Sequence, residues 1–105
     1  MKEITLGGYM AVHDRAAAFE GSDGRAYSVA LWVDDTPDAR GRMAGALLFV
    51  RWRQDGSEPD GHLETEWLVR GATVADAESR LGAISLYDAK GHLEELIARQ
   101  HAEGA

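Results

Sequence analysis

The tetrapeptide Gly-His-Leu-Glu occurs twice in this chain of 105 residues, at 61–64 and at 91–94. Histidine nitrogens and carboxylate oxygens are ordinary ligands of divalent cations, and the same side chains act as general acids and bases. A repeated His-x-Glu could therefore mark a metal site or a catalytic pair. The answer depends on the elements that carry the two copies, since residues two apart point the same way on a strand but lie roughly 200° apart on a helix.

The first copy falls in a segment that alternates like a strand, so His62 and Glu64 share a side, with Glu66 beside them. Arg51 and Arg53 are predicted on the same patch, with Arg51 opposite Glu64 and Arg53 opposite His62. Two guanidinium groups neutralise the carboxylates and repel a divalent cation. We therefore expect a lattice of ion pairs here and no metal.

The second copy falls in a helical segment, where His92 and Glu94 cannot converge on one ion. Asp88, His92 and Glu95 do share a stripe at spacings of four and three residues. That stripe continues to Arg99 and faces away from the apolar side of the helix, as a solvated surface with local ion pairs does. We expect no metal here either.

Other chemistries lack their motifs. The chain has no cysteine, which excludes disulfides, thiolate ligands and thiol nucleophiles. It contains no Gly-x-Ser-x-Gly elbow, no phosphate-binding glycine loop and no EF-hand spacing in its acidic turns. The sequence accordingly predicts no catalytic residue, no metal and no cofactor, and we favour a protein that is not an enzyme.

The composition, with 45% hydrophobic and 28% charged residues, is that of one globular domain spanning 1–105. A net charge of −7 disfavours binding to nucleic acid or to anionic lipid, because both need a surplus of Lys and Arg. No signal-peptide core is seen, nor any run near the roughly 18 apolar residues of a membrane span. We expect a cytoplasmic protein, and a bacterial one from its richness in Ala, Gly and Arg with few lysines.

The fold is predicted from a change of periodicity near residue 71. Before it, apolar residues alternate in steps of two and are interrupted by turn clusters, which predicts strands at about 15–20, 25–34, 43–53 and 62–70 in an antiparallel meander. After it, two capped helical stripes fill 73–102, opened by Thr73 with Asp76 and by Ser85 with Asp88. Gly91 weakens the second helix by about 1 kcal/mol relative to alanine, so it is a point at which the helix could break or kink. The predicted fold is a two-layer α+β domain: a four-stranded antiparallel meander sheet of residues 15–70, two C-terminal helices on one face, and an N-terminal arm of residues 1–13.

The faces of the sheet follow from a register that places Leu48 opposite Trp67. One face, predicted to form the core under the helices, then collects Tyr27, Val29, Leu31, Val33, Ala46, Leu48, Val50, Trp52, Leu63, Thr65, Trp67 and Val69. The opposite, outer face has an apolar half that includes Trp32, Leu47, Phe49 and Leu68, and a charged half of Arg51, Arg53, His62, Glu64 and Glu66.

An apolar face that carries Trp and Phe needs a cover. We favour the same face of a second subunit in a two-fold homodimer, with Trp32, Leu47, Phe49 and Leu68 as anchors and Arg51, Arg53, Glu64 and Glu66 setting the register. The other covers are the N-terminal arm, through Ile4, Leu6, Tyr9 and Met10, and a ligand or a protein partner.

Three functional hypotheses follow. The first is a small, non-enzymatic, self-associating interaction or accessory protein. The second is a ligand-binding or catalytic domain in which Arg51 and Arg53 hold a small anion and His62 acts as acid or base. The third is an acidic, antitoxin-like protein that neutralises a partner, which rests on size and charge alone.

Overall fold

A computed structural model describes residues 3–104; residues 1, 2 and 105 of the predicted domain lie outside that range. It confirms the α+β prediction: an antiparallel sheet with helices on one of its faces. No helix within 3–104 is long and apolar enough to cross a membrane. The elements in chain order are α1 (Leu6–His13), β1 (Ala18–Glu20), β2 (Ala26–Val33), β3 (Met43–Trp52), β4 (Pro59–Glu64), β5 (Val69–Gly71), α2 (Val74–Gly82) and α3 (Leu86–Glu103).

The predicted fourth strand is divided in two. The sheet has the order β1-β2-β3-β4, and β5 pairs with β3 beyond the end of β4. Leu48 lies opposite Glu64 and Gly45 lies opposite Val69. Between these two pairs β3 advances three residues and its neighbour advances five, so two residues are extra. The register with Leu48 opposite Trp67 was therefore wrong.

The extra residues form a bulge at 65–68. The backbone N–H of Thr65 donates to the carbonyl of Leu47 at 3.0 Å, and the Thr65 hydroxyl accepts from the Leu47 N–H, also at 3.0 Å. The Leu68 N–H then donates to the carbonyl of Gly45 at 2.8 Å. Because these bonds hold both ends, the chain between them can leave the ladder, and Trp67 turns to the side of the sheet away from the helices. Such bulges re-aim a side chain where a strand is interrupted.

The two C-terminal helices begin at their predicted caps. The Thr73 hydroxyl accepts from the Asp76 N–H at 3.0 Å, and the Ser85 hydroxyl accepts from the Asp88 N–H at 2.9 Å. Both apolar stripes are buried against the sheet in a single core cluster. The helix does not break at Gly91, since α3 continues past it to Glu103. The fully or nearly buried residues of the helices are Leu6, Ala77, Leu81, Ala89, Leu93 and Ile97.

The N-terminal arm belongs to the helical layer. Thr5 caps α1 by accepting from the Gly8 N–H at 3.0 Å, and the Leu6 side chain is fully buried in the core. Main-chain hydrogen bonds join the arm to the link between α2 and α3, from Leu6 N–H to Ile84 carbonyl at 2.9 Å and from Leu86 N–H to the carbonyl of Ile4 at 2.8 Å. The arm therefore lies on the helix side and leaves the opposite face of the sheet open.

The two faces of β3 are the reverse of the prediction. Leu47 and Phe49 face the helices and are fully buried, together with Tyr27 and Val29 of β2. The β2 residues had been assigned correctly. The β3 residues predicted to be core, namely Ala46, Leu48, Val50 and Trp52, point away from the helices. The reason is that β3 is apolar on both sides, so alternation alone does not say which side is covered.

Candidate interaction surface on the outer face of the sheet

The face of the sheet away from the helices carries a continuous apolar surface. Trp32 and Trp67 are 43% and 40% exposed, and the surface continues along β3 through Leu48, Val50 and Trp52, which are partly exposed. All three tryptophans of the chain therefore lie on this face. We call this surface the outer patch; it comprises Ala30, Trp32, Ala46, Leu48, Val50, Trp52 and Trp67.

The three indoles are held differently. Trp32 and Trp67 pack against each other with ring centroids 5.1 Å apart and planes inclined by 34°. Ala46, directly across the ladder from Trp32, is only 1% exposed, as expected for a methyl group beside these rings. The Trp52 indole N–H donates to the Ser28 hydroxyl at 3.0 Å, so its polar atom is already satisfied. Trp32 and Trp67 are thus the exposed pair and Trp52 the anchored one.

Polar and charged side chains border the patch along its β4 and β5 side. His62 lies opposite Val50 and Glu64 opposite Leu48 in β4, and Arg70 of β5 lies opposite Ala44. An open depression of about 550 Å³ runs beside the exposed indoles. It is lined by Trp32, Glu64, Thr65, Glu66, Trp67 and Arg70. An apolar aromatic centre with a charged border is the usual anatomy of a protein interface.

Three of the four predicted anchors are not on this face. Leu47 and Phe49 lie in the core with no exposed surface. Leu68 packs against the core from the end of the bulge and lines a small cleft beside Leu96 of α3. Only Trp32 was placed correctly. Of the predicted charged residues, Glu64 borders the patch and Glu66 lies exposed in the bulge.

The predicted arginine lattice does not form. Arg51 shares the helix-side face with Phe49, and its Nε and Nη2 donate to the side chain and the carbonyl of Asp60, both at 3.0 Å. Arg53 lies in the following turn and donates to Glu58 at 2.7 Å, with both side chains more than half exposed. His62 points to the opposite face from Arg51. Arg51 and His62 therefore lie on opposite faces of the sheet and Arg53 lies beyond the end of β3, so the three residues proposed to hold an anion do not converge.

A polar network closes the end of the sheet near the turns. Asp60 accepts from Arg25 at 2.5 Å as well as from Arg51, and these two hydrogen bonds lower the pKa of its carboxyl group. The buried Tyr27 hydroxyl donates to Asp23 at 2.6 Å. Burial, followed by the hydrogen bond and the charge of Asp23, raises the pKa of Tyr27 to about 12. Apart from the buried Nε of Arg25, which has no partner within residues 3–104, these groups bond to one another on the covered side, as a structural network does.

The second His-x-Glu copy lies at a different place. His92 and Glu95 line the small cleft of about 140 Å³ between α3 and the bulge, and Arg99 pairs with Glu95 at 3.4 Å, as expected of a helix surface. Glu94 instead accepts from the backbone N–H of Ser22, which lowers its pKa. Within residues 3–104, no three His, Asp or Glu side chains form a group that could hold a metal ion.

The chain was compared with known proteins in three ways. No family model, no curated protein and no solved structure matches it.

Proposed function

We propose that this chain is a small, non-enzymatic interaction module that self-associates through the outer patch. The observation that carries the proposal is the sheet face itself, on which Trp32 and Trp67 remain about two-fifths exposed. The helices and the arm all pack on the other side of the sheet, so no element within residues 3–104 supplies a cover. Contiguous exposed apolar surface of this kind marks interaction sites on small proteins.

The overall dimensions support the same reading. The accessible surface is 6797 Å². A compact monomer of 11.4 kDa is expected to expose about 5,800 Å², roughly 1,000 Å² less. The radius of gyration of 14.3 Å likewise exceeds the value of about 13 Å expected for this length. An uncovered sheet face adds to the accessible surface and to the radius in this direction.

The chemistry of the border favours a second copy over other occupants. The border of the patch carries two anions, Glu64 and Glu66, and a cation, Arg70, whose guanidinium group also lies 3.7 Å from the Asp38 carboxylate of the same chain. An anionic lipid or a nucleic acid would need a positive surface, and the net charge of −7 opposes both. A surface with an apolar centre and charges of both signs at its border can complement itself, which is what a two-fold homodimer requires.

Light scattering over a concentration series tests the proposal, together with tryptophan fluorescence. Because all three indoles lie on the patch, self-association should double the scattering mass and shift the emission to shorter wavelength over the same concentration range. Acrylamide quenching should fall in parallel. A protein that stays monomeric at the highest attainable concentration would overturn the proposal.

A variant in the middle of the patch sharpens the test. Leu48→Lys places a charge at the centre of the patch, where it must be desolvated in any association, so the variant should stay monomeric. Tyr87→Lys, at a residue of α3 that is 81% exposed, makes a comparable change on the helix side and should associate like the wild type. Far-UV circular dichroism establishes that both variants fold. Equal association of Leu48→Lys and the wild type would exclude the outer patch as the interface.

A further inference from the structure

The outer patch has a pattern of charges that specifies how a second copy would align. Arg70 lies opposite Ala44 and Glu64 lies opposite Leu48, both along the same side of β3. Ala46 is midway between Ala44 and Leu48, so the two charges flank it at about 7 Å in opposite directions along the strand. Charges of opposite sign at equal distances from one point form a self-complementary pair.

We infer that a two-fold axis crosses the strands at Ala46 and joins two copies face to face, with Arg70 of each copy paired with Glu64 of the other. This inference rests on the proposed self-association. Such an axis exchanges the two positions, so both ion pairs form at once, as an isologous interface requires. The same operation brings Leu48 of one copy over Ala44 of the second copy, a large side chain against a small one.

The tryptophans fit this axis. Trp32 is directly opposite Ala46, and Trp67 packs against Trp32, so both lie at the level of the axis and would meet their counterparts. They are also the more exposed indoles, at 43% and 40%. Trp52 lies at the far end of β3 with its N–H already bonded to Ser28. This axis would therefore bury the two most exposed indoles, Trp32 and Trp67. They would lie at the centre of the interface, where the residues that contribute most to binding usually cluster.

Other alignments of the same face are less favourable. An axis across the strands at Leu48 would place Glu64 against its own counterpart, and like charges facing each other oppose association. An axis parallel to the strands would set the β4 border against the β2 side, where Arg70 would meet Asp34 but Glu64 would meet the uncharged Ala30. Among these three axes, only the one at Ala46 pairs both Glu64 and Arg70 with an opposite charge; Glu66, in the bulge at the level of this axis, gains no opposite charge from it.

Charge reversal tests the alignment. Glu64→Arg and Arg70→Glu each replace two ion pairs of the dimer by two like-charge contacts, so each should weaken association by about tenfold. Mixing the two variants should restore wild-type affinity, because one subunit then carries two arginines and the other two glutamates. The double variant Glu64→Arg with Arg70→Glu should associate like the wild type. Glu78→Arg, on the helix side, changes the net charge in the same direction and by the same amount as Glu64→Arg and should not alter association.

The possible results separate this inference from the proposed function. In one outcome, the wild type dimerises and Leu48→Lys prevents dimerisation, but the charge variants associate like the wild type both alone and when mixed. The outer patch is then the interface, and the axis at Ala46 is wrong. If the wild type is monomeric, the proposed function and the axis fail together. Weakening of both single variants with recovery on mixing supports the axis, and weakening without recovery overturns it.

Discussion

The two faces of β3 are nearly alike in composition and opposite in environment. Leu47 and Phe49 on one side are fully buried, whereas Leu48 and Val50, their immediate neighbours, remain partly exposed. The difference is made by other elements, because α2 and α3 pack on one side and no element within residues 3–104 packs on the other. The apolar side chains of β3 could therefore be buried on either side of the strand. The position of the helices determines which side is buried within one chain.

The largest effect should separate neighbouring residues of β3. Phe49→Ala removes a ring that is fully buried and packs edge-on against Phe19 with centroids 6.5 Å apart. We expect it to lower the free energy of unfolding by about 3–5 kcal/mol. Leu48→Ala should cost about 1 kcal/mol in the monomer, because part of that side chain is already in water. Urea unfolding of dilute protein measures both; equal losses would mean that the two faces are equally covered.

The pH dependence should report on the polar end of the covered face. The pKa of Tyr27 is raised from 10.0 to about 12, so folding favours the protonated phenol. Stability from this group is complete below pH 10 and is lost as pH rises, with about 2 kcal/mol gone by pH 12. Urea unfolding across this range should show the loss in the wild type and a smaller slope in Tyr27→Phe. Tyr87→Phe, at an exposed phenol, should keep the wild-type slope.

The contrast between the faces also explains which predictions succeeded. The turn clusters, both helix caps and the helical stripes depend on neighbouring residues, and the structure confirms them. The covered side of β2 was predicted correctly because its outward positions include Ser28 and Ala30, which differ visibly from Tyr27 and Val29. Where the two sides of a strand differ in sequence, the alternation of residues is sufficient to predict which side is buried.

The face of β3 could not be found in this way. Arg51 alternates in step with Leu47 and Phe49, so a rule that exposes charged residues assigns all three to the outer side. In the fold Arg51 lies at the end of the covered face, where Asp60 satisfies its guanidinium group. The bulge then displaced Trp67 from its predicted register. Trp32 and Glu64, which form part of the candidate surface, could therefore be predicted from the sequence. The rest of the surface depends on the ion pair between Arg51 and Asp60 and on the two extra residues of the bulge, and neither gives a local sequence pattern.

The smallest effect should come from the surface of the helical layer. A β-carbon added at Gly91 meets no atom within 4 Å, and α3 is regular there. Gly91→Ala should therefore raise the free energy of unfolding by about 0.5–1 kcal/mol, through helix propensity and a less flexible unfolded chain. Gly45→Ala is the matched control on the covered face, where the new carbon would lie 2.8 Å from Val69 and 2.9 Å from Leu81, and overpacking should cost about 1–3 kcal/mol. Urea unfolding of the two variants, measured in parallel, should show the gain in the free energy of unfolding for Gly91→Ala and the loss for Gly45→Ala. If Gly91→Ala destabilised the fold, the surface around Gly91 could not be open. The substitution lies in the helical layer, on the other side of the sheet from the outer patch. If it changed self-association, the interface would therefore lie on the helix side.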